Sequence, residues 1–445
     1  MMRITQNSKP ANRWMPAALL WLGLAAVTPA RAIVPVPAAE QSEPIAIVGA
    51  IIHTGNGEVI GDGVITFDQG IITAVGSATD GISLAGHRVI DLQGQHVYPG
   101  FVLPNTSLGL LEVSNIRATD DTEEEGDINA SVRAAIAYNT DSEYIPTQRF
   151  NGILTAQVTP LGGLVAGRST VVKLDGWNWE DAVLKVDDAM HLHWPTLTRR
   201  RFNEETEQME TVDNEDYEAQ LQVLHELFQN ASTYDGSPLN LNLQALQPLL
   251  NGAMTLHIHA DEGKQIISAV RFARGYGIAD IVLVGGRDAY QVVDFLREEA
   301  VPVIYQAIHA LPGMEWQDVD LPFKTPFLLH EAGIKVGIGG GEGDLHNERN
   351  LPFFAGTAAA YGLDRETALS MVTRNNAEIL GVADRVGTLE PGKDATLFIS
   401  IGDALDMRTS QVQQAFIQGR EIDLYGTQQE LYERYYEKYS GPRPD

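Results

Sequence analysis

Apolar and polar positions alternate with period two soon after residue 45, and the same pattern returns near the end of the chain. Residues 45–52, 63–68, 70–76 and 87–92 read as short strands, broken by turn signals such as Gly55-Asn56-Gly57 and closed by Tyr98-Pro99-Gly100. The period then changes. Apolar runs at 254–259, 281–284, 301–304 and 335–339 alternate with helical stretches at 265–276, 290–299 and 361–380. Strand–helix alternation predicts βα units around a parallel barrel, and so an α/β fold. Strand character comes back at 395–400 and 414–417. A small β module built from both chain ends is therefore expected to bracket the barrel.

The residues before this pattern read as an export signal. Arg3, Lys9 and Arg13 precede an apolar stretch at 15–27, and Ala30-Arg31-Ala32 has the small-x-small form of a cleavage site. The apolar stretch is too short to span a bilayer stably. The expectation is a signal peptide at 1–32, a Pro/Ala-rich linker at 33–42, and a soluble periplasmic or secreted protein with no membrane attachment after cleavage. Charge narrows the partners further. With 59 acidic against 31 basic residues the net charge is −28, a field that repels nucleic acid and anionic lipid. There is no cysteine, which excludes disulfides, thiolate metal sites and lipid attachment at a lipobox.

Several segments stand outside the strand–helix alternation. The acidic run at 120–127 reads as a solvated loop, and the highly charged 199–217 as an exposed lid or loop. The glycine-rich 162–169 resembles a phosphate loop only superficially. Arg168 stands where lysine is needed, and the run that follows is β-like, whereas a phosphate cradle requires a helix N-terminus. Leu431, Tyr432, Tyr435, Tyr436 and Tyr439 recur at helical spacing and are expected to pack on the barrel.

Both ends of the pattern carry phrases that resemble the amidohydrolase superfamily, most closely its imidazolonepropionase-like branch. At the front these are Gly61-Asp62-Gly63-Val64-Ile65, Val89-Ile90-Asp91-Leu92 and Val97-Tyr98-Pro99-Gly100-Phe101-Val102. At the back they are Asn375-Asn376-Ala377-Glu378, Gly387-Thr388-Leu389-Glu390-Pro391-Gly392-Lys393-Asp394-Ala395 and Gly402-Asp403-Ala404-Leu405. The resemblance implies a (β/α)8 TIM-like barrel at 99–384 and a composite β-sandwich from 43–98 and 385–424, with 425–445 as a helical tail. It also implies hydrolysis of non-peptide or dipeptide C–N bonds at the C-terminal ends of the barrel strands. There one or two divalent metals activate water.

The metal ligands of such a site are mostly replaced here. The first-strand His-x-His positions hold Asn105 and Ser107, neither a strong zinc ligand. The sixth-strand histidine gives way to Gly285-Gly286, and Gly341 stands at the last-strand aspartate. His259 matches the fifth-strand ligand, with His257 on the same face by alternation. A rebuilt site would draw on His257 and His259 for metal, with Asn105, Ser107, His309, Glu342, Asp344 and His346 as pocket candidates. A second His-x-His, His191 and His193, has the alternation of a ligand pair, but a strand end packed by Trp194 is the preferred reading. The expected cofactor is none, or a weakly held divalent metal, zinc first. Two functions stay open. One is a hydrolase with a degenerate metal site acting on a small molecule; the other is an inactive homologue that binds a ligand, self-associates or partners a related amidohydrolase.

Overall fold

The computed structural model describes residues 36–203, 206–341 and 343–441; the expected signal peptide and Glu342 lie outside them. It is a mixed α/β structure with two kinds of sheet. Eight strands taken from both ends of the described chain form the first. The His96–Pro99 strand pairs on one side in parallel with Ile45–His53 and on the other antiparallel with Leu397–Ser400. Val59–Asp68 and Ile71–Ser77 extend one flank, and Val412–Ile417 and Arg420–Glu421 the other. The turn between Asp68 and Ile71 has left-handed backbone at both Gln69 (φ 49°) and Gly70 (φ 82°), the two-residue hairpin that matches strand twist. Ile47, Ile52, Ile65, Phe67, Val97, Leu397, Ile399 and Phe416 fill its core, where Phe67 meets Phe416 edge-on at 5.2 Å. At about 1.5–3 kcal/mol for each large side chain removed from water, this face is the main force holding the two chain ends together.

The second kind consists of two sheets that contain parallel strands, one mixed and one mainly parallel. In one, Phe101–Thr106 runs parallel to Ile153–Val158, which pairs antiparallel with Thr170–Lys173. In the other, Ala189–His193, Thr255–Ala260, Ile281–Gly285, Val303–Tyr305 and Val336–Ile338 run parallel in that order, with Val165–Arg168 antiparallel at the edge. Only Ser169 separates Val165–Arg168 from Thr170–Lys173, so one continuous segment runs from the edge of one sheet into the other, where Val183–Lys185 pairs beyond it. Alternation divides the side chains between two cores. Leu256, Ile258, Leu283 and Val303 pack toward Ile266, Ala269, Val270 and Ala273 of helix Gly263–Gly275. Their neighbours Val282, Val284 and Ile304 join Val102 and Val171 in a separate cluster with Ala377 and Leu380.

Hydrogen bonding does not close these sheets into one ring, in contrast to the closed eight-stranded barrel expected. Among the described residues no strand pair joins Phe101–Thr106 to Val336–Ile338. Instead the Asn376 side chain lies between them: its Nδ2 donates to Val102 O at 2.8 Å and to Ile338 O at 2.9 Å. A side chain thus takes the acceptors that a ladder would use. Gly337 makes room for it, since a Cβ there would stand 2.0 Å from Asn376 Oδ1.

The charged segment expected to be a loop is in fact a hairpin, Thr198–Asn203 paired with Gln208–Asp213. The tail helix Thr427–Ser440 buries no residue, which corrects the expectation that its tyrosines pack inward: Tyr432, Tyr435 and Tyr439 are all exposed. No helix among the described residues is long and apolar enough to cross a membrane.

Candidate functional site

The two His-x-His motifs sit on neighbouring parallel strands in register. His191 lies opposite His257, and His193 opposite His259. Alternation puts all four imidazoles on one face. Ring centroids are 4.9 Å apart for His191 and His257, 5.2 Å for His191 and His259, and 4.3 Å for His193 and His259. His191 Nδ1 and His259 Nε2 share a hydrogen bond at 2.9 Å, and His193 Nδ1 donates to Gly163 O at 3.1 Å. Neither ring nitrogen of His257 has a hydrogen-bond partner, nor does His191 Nε2. Burial first, and neighbouring imidazoles second, push His257 down to about 3 and His191 well below the usual range; both are neutral at neutral pH. Trp194 is also buried, edge-on to Phe272 at 5.2 Å, so the second motif is both a packed strand end and part of the histidine cluster.

The first strand ends in a second polar group. Asn105 is buried with a left-handed backbone (φ 54°), and neither its Oδ1 nor its Nδ2 is bonded. Non-glycine residues held in that region cost of order 1–3 kcal/mol and gather at functional sites. The Asn105 backbone N–H donates to Gln157 Oε1 at 3.1 Å. Gln157 Nε2 donates in turn to Asp188 Oδ2 at 2.7 Å, and Ser169 Oγ to Asp188 Oδ1 at 2.8 Å. Burial outweighs these bonds and pushes Asp188 up to about 6. Ser107 is buried with its Oγ unbonded. Between them, Thr106 Oγ1 donates to Glu348 Oε2 at 2.5 Å. Glu348 is fully buried and pushed up to about 8 by burial, so it carries a proton at neutral pH; its Oε1 has no partner.

A cavity of about 420 Å³ opens at these strand ends. His193, His259, Asp261, Arg287 and Gln306 line it, and so do Gly285 and Gly341. The other candidates lie elsewhere. His309 Nε2 bonds Thr357 Oγ1 at 2.8 Å and rests edge-on against Phe354. Asp344 is exposed and bonds Asn347 Nδ2. His346 lies beside Tyr144, ring centroids 5.4 Å apart, in a different cavity of about 670 Å³. Arg287, Glu348 and the Gln157–Ser169–Asp188 network went unread in the sequence, where isolated polar residues carry no periodic signal. The alternation of each His-x-His motif was open to reading, but the pairing of their strands was not, since a hairpin separates them in the chain.

Among the described residues no group of three or more His, Asp or Glu side chains is placed to hold a metal ion. Asn105 and Ser107 are neutral and not strong zinc ligands, Gly285 and Gly341 offer no side chain, and His259 Nε2 is engaged with His191. The described residues do not fit a catalytic metal centre.

Residues 327–422 match the amidohydrolase family model. The fold matches too: the crystal structure of an amidohydrolase from Thermotoga maritima superposes with a TM-score of 0.75 at 23% identity, over 85% of this chain and 99% of that one. The chain thus resembles the amidohydrolases, in sequence over residues 327–422 and in fold over most of its length. Two more distant members of the fold are a prolidase solved with N-methylphosphonate-L-proline (TM-score 0.53, 17% identity, 85% and 99% covered) and an adenosine deaminase from Xanthomonas campestris with bound zinc (0.52, 16%, 91% and 99%). No curated protein matches the chain.

Proposed function

We propose that this amidohydrolase-family protein keeps the strand-end cavity as a small-molecule site and has lost the metal centre, so that it binds its ligand without metal-activated hydrolysis. In this reading the two sheets are staves of one barrel held at the seam by Asn376, and the protein is exported after removal of residues 1–32. The observation that carries it is the 2.9 Å contact between His191 Nδ1 and His259 Nε2, which engages the one retained ligand with a neighbouring histidine. The test is elemental analysis of the purified mature protein beside turnover assays on N-acyl amino acids and dipeptides. Zinc well below one equivalent and no turnover are expected. Near-stoichiometric metal that is lost on His259→Ala would sink the reading.

A hydrolytic alternative rests on Glu348. This protonated acid packs on Gly340, next to the cavity residue Gly341, where it could supply a proton to a departing amine. Metal-independent turnover abolished by Glu348→Gln would favour it.

A further inference from the structure

Arg287 follows the Gly285-Gly286 turn that ends the Ile281–Gly285 strand, and it lines the strand-end cavity. Its backbone N–H donates to Asp261 Oδ1 at 3.1 Å. Its guanidinium makes no hydrogen bond and no ion pair with any described residue, and Nε is buried from solvent. That is unusual in a chain where acidic residues outnumber basic ones by 59 to 31. A buried N–H left unbonded is costly, and Arg is usually satisfied by a carboxylate in this setting. The side chain is also held in place. The backbone of Gly313 crosses directly over it, so close that a Cβ there would stand 2.9 Å from Nε and 3.3 Å from Cζ. Around this cation the cavity combines apolar walls, Trp194, Val284, Ala307 and Leu311, with the polar groups of His193, His259, Gln265 and Gln306. Asp261, the acidic group in the lining, spends one oxygen on the Arg287 backbone.

We propose that Arg287 anchors the carboxylate of a small ligand whose apolar side group lies against Ala307 and Leu311. The planar guanidinium presents paired donors matched to the two oxygens of a carboxylate, a geometry that a single ammonium does not reproduce. The ligand class is then an acylated amino acid or similar small apolar carboxylate. This inference rests on the reading of the cavity as a small-molecule site, and it names the charge that the site recognises.

The experiment is titration calorimetry on the full mature protein with N-acetyl-L-leucine, N-acetyl-L-leucinamide and inorganic phosphate. The first two differ in little but charge. The carboxylate is expected to bind tenfold to a hundredfold tighter than the amide, and tighter than phosphate. Arg287→Met keeps the stem but removes the fork, and it should bring the carboxylate down to the level of the amide. Gly313→Ala, which presses on Nε without removing the cation, should cut the same preference and covers the case of a poorly folding Arg287→Met. Equal binding of amide and carboxylate, an unchanged preference in both variants, phosphate binding as tightly, or no binding of any probe would each overturn the proposal. None of these outcomes touches the loss of the metal centre, which elemental analysis decides separately.

Discussion

The composite sheet and the parallel sheets bury polar groups in opposite ways. Among the described residues, no buried polar atom on the eight strands of the composite sheet lacks a partner. Thr66 Oγ1 meets Thr73 Oγ1 at 2.7 Å, and Ser400 Oγ accepts from Gln411 N. In and beside the parallel sheets Asn105, Ser107, His191, His257 and Glu348 all keep buried atoms unbonded. Native interiors seldom tolerate such groups, since each costs about 1–3 kcal/mol. The first region is built for stability. The second spends stability to present hydrogen-bonding groups in one place, as binding sites do.

Substitutions sharpen this comparison. The largest expected effect is in the composite sheet: Phe416→Ala empties a fully buried site against Phe67 and should cost about 3–5 kcal/mol in urea unfolding. A cost below about 1 kcal/mol would show that this core is not what holds the ends together.

Glu348→Gln should act in the other direction. The acid keeps its proton in the folded state up to about pH 8, while the unfolded chain releases it near 4.5. Wild-type stability therefore falls as pH rises from 4.5 to 8, by at most about 5 kcal/mol. The amide removes that slope, so the variant should gain on the wild type between pH 5 and pH 8. Parallel curves at the two pH values would refute the buried neutral acid.

His257→Leu tests the opposite limb. The folded imidazole stays neutral to about pH 3, and the unfolded one takes up a proton below 6.5. The wild type thus loses stability as pH falls from 6.5 toward 3. The leucine variant should flatten this acid limb by about 1–2 kcal/mol at pH 5, with His191 retaining part of it. An unchanged melting profile from pH 7 to pH 5 would count against it. The smallest effect is expected for Asn105→Gly, which relieves the left-handed backbone and removes an unbonded buried amide. A gain of about 1 kcal/mol should appear in thermal melts, and a loss would mean that the amide is satisfied in solution.

Much of this contrast lies where the sequence speaks in different strengths. The run at 254–259 and the strand Thr255–Ala260 nearly coincide, because Leu256 and Ile258 alternating with His257 and His259 carry a strong local signal. Asn375-Asn376 was recognisable as a family phrase, though its place at the seam was not, since a side chain bridging two sheets has no period. Direction is also invisible locally: nothing in 165–173 marks it as running against its neighbours. The hairpin at Thr198–Asn203 and Gln208–Asp213 was hidden because it is exposed on both faces, so its apolar pair Phe202 and Met209 never stands out. At the site, the histidine alternation gave the face. Their pairing depended on which strand neighbours which, and Glu348 and Arg287 had no signal at all.

The composite sheet has a consequence for the order in which the molecule is made. Val97 finds its partner in Ile399, roughly three hundred residues later. The edge of His96–Pro99 must therefore wait, open, until Leu397–Ser400 has left the ribosome. Contacts of such sequence separation are slow to form, and waiting edges invite wrong pairings. For this protein the final strands act as a lock on synthesis: a chain cut short before Leu397 leaves His96–Pro99 unpaired on one side and open to another chain.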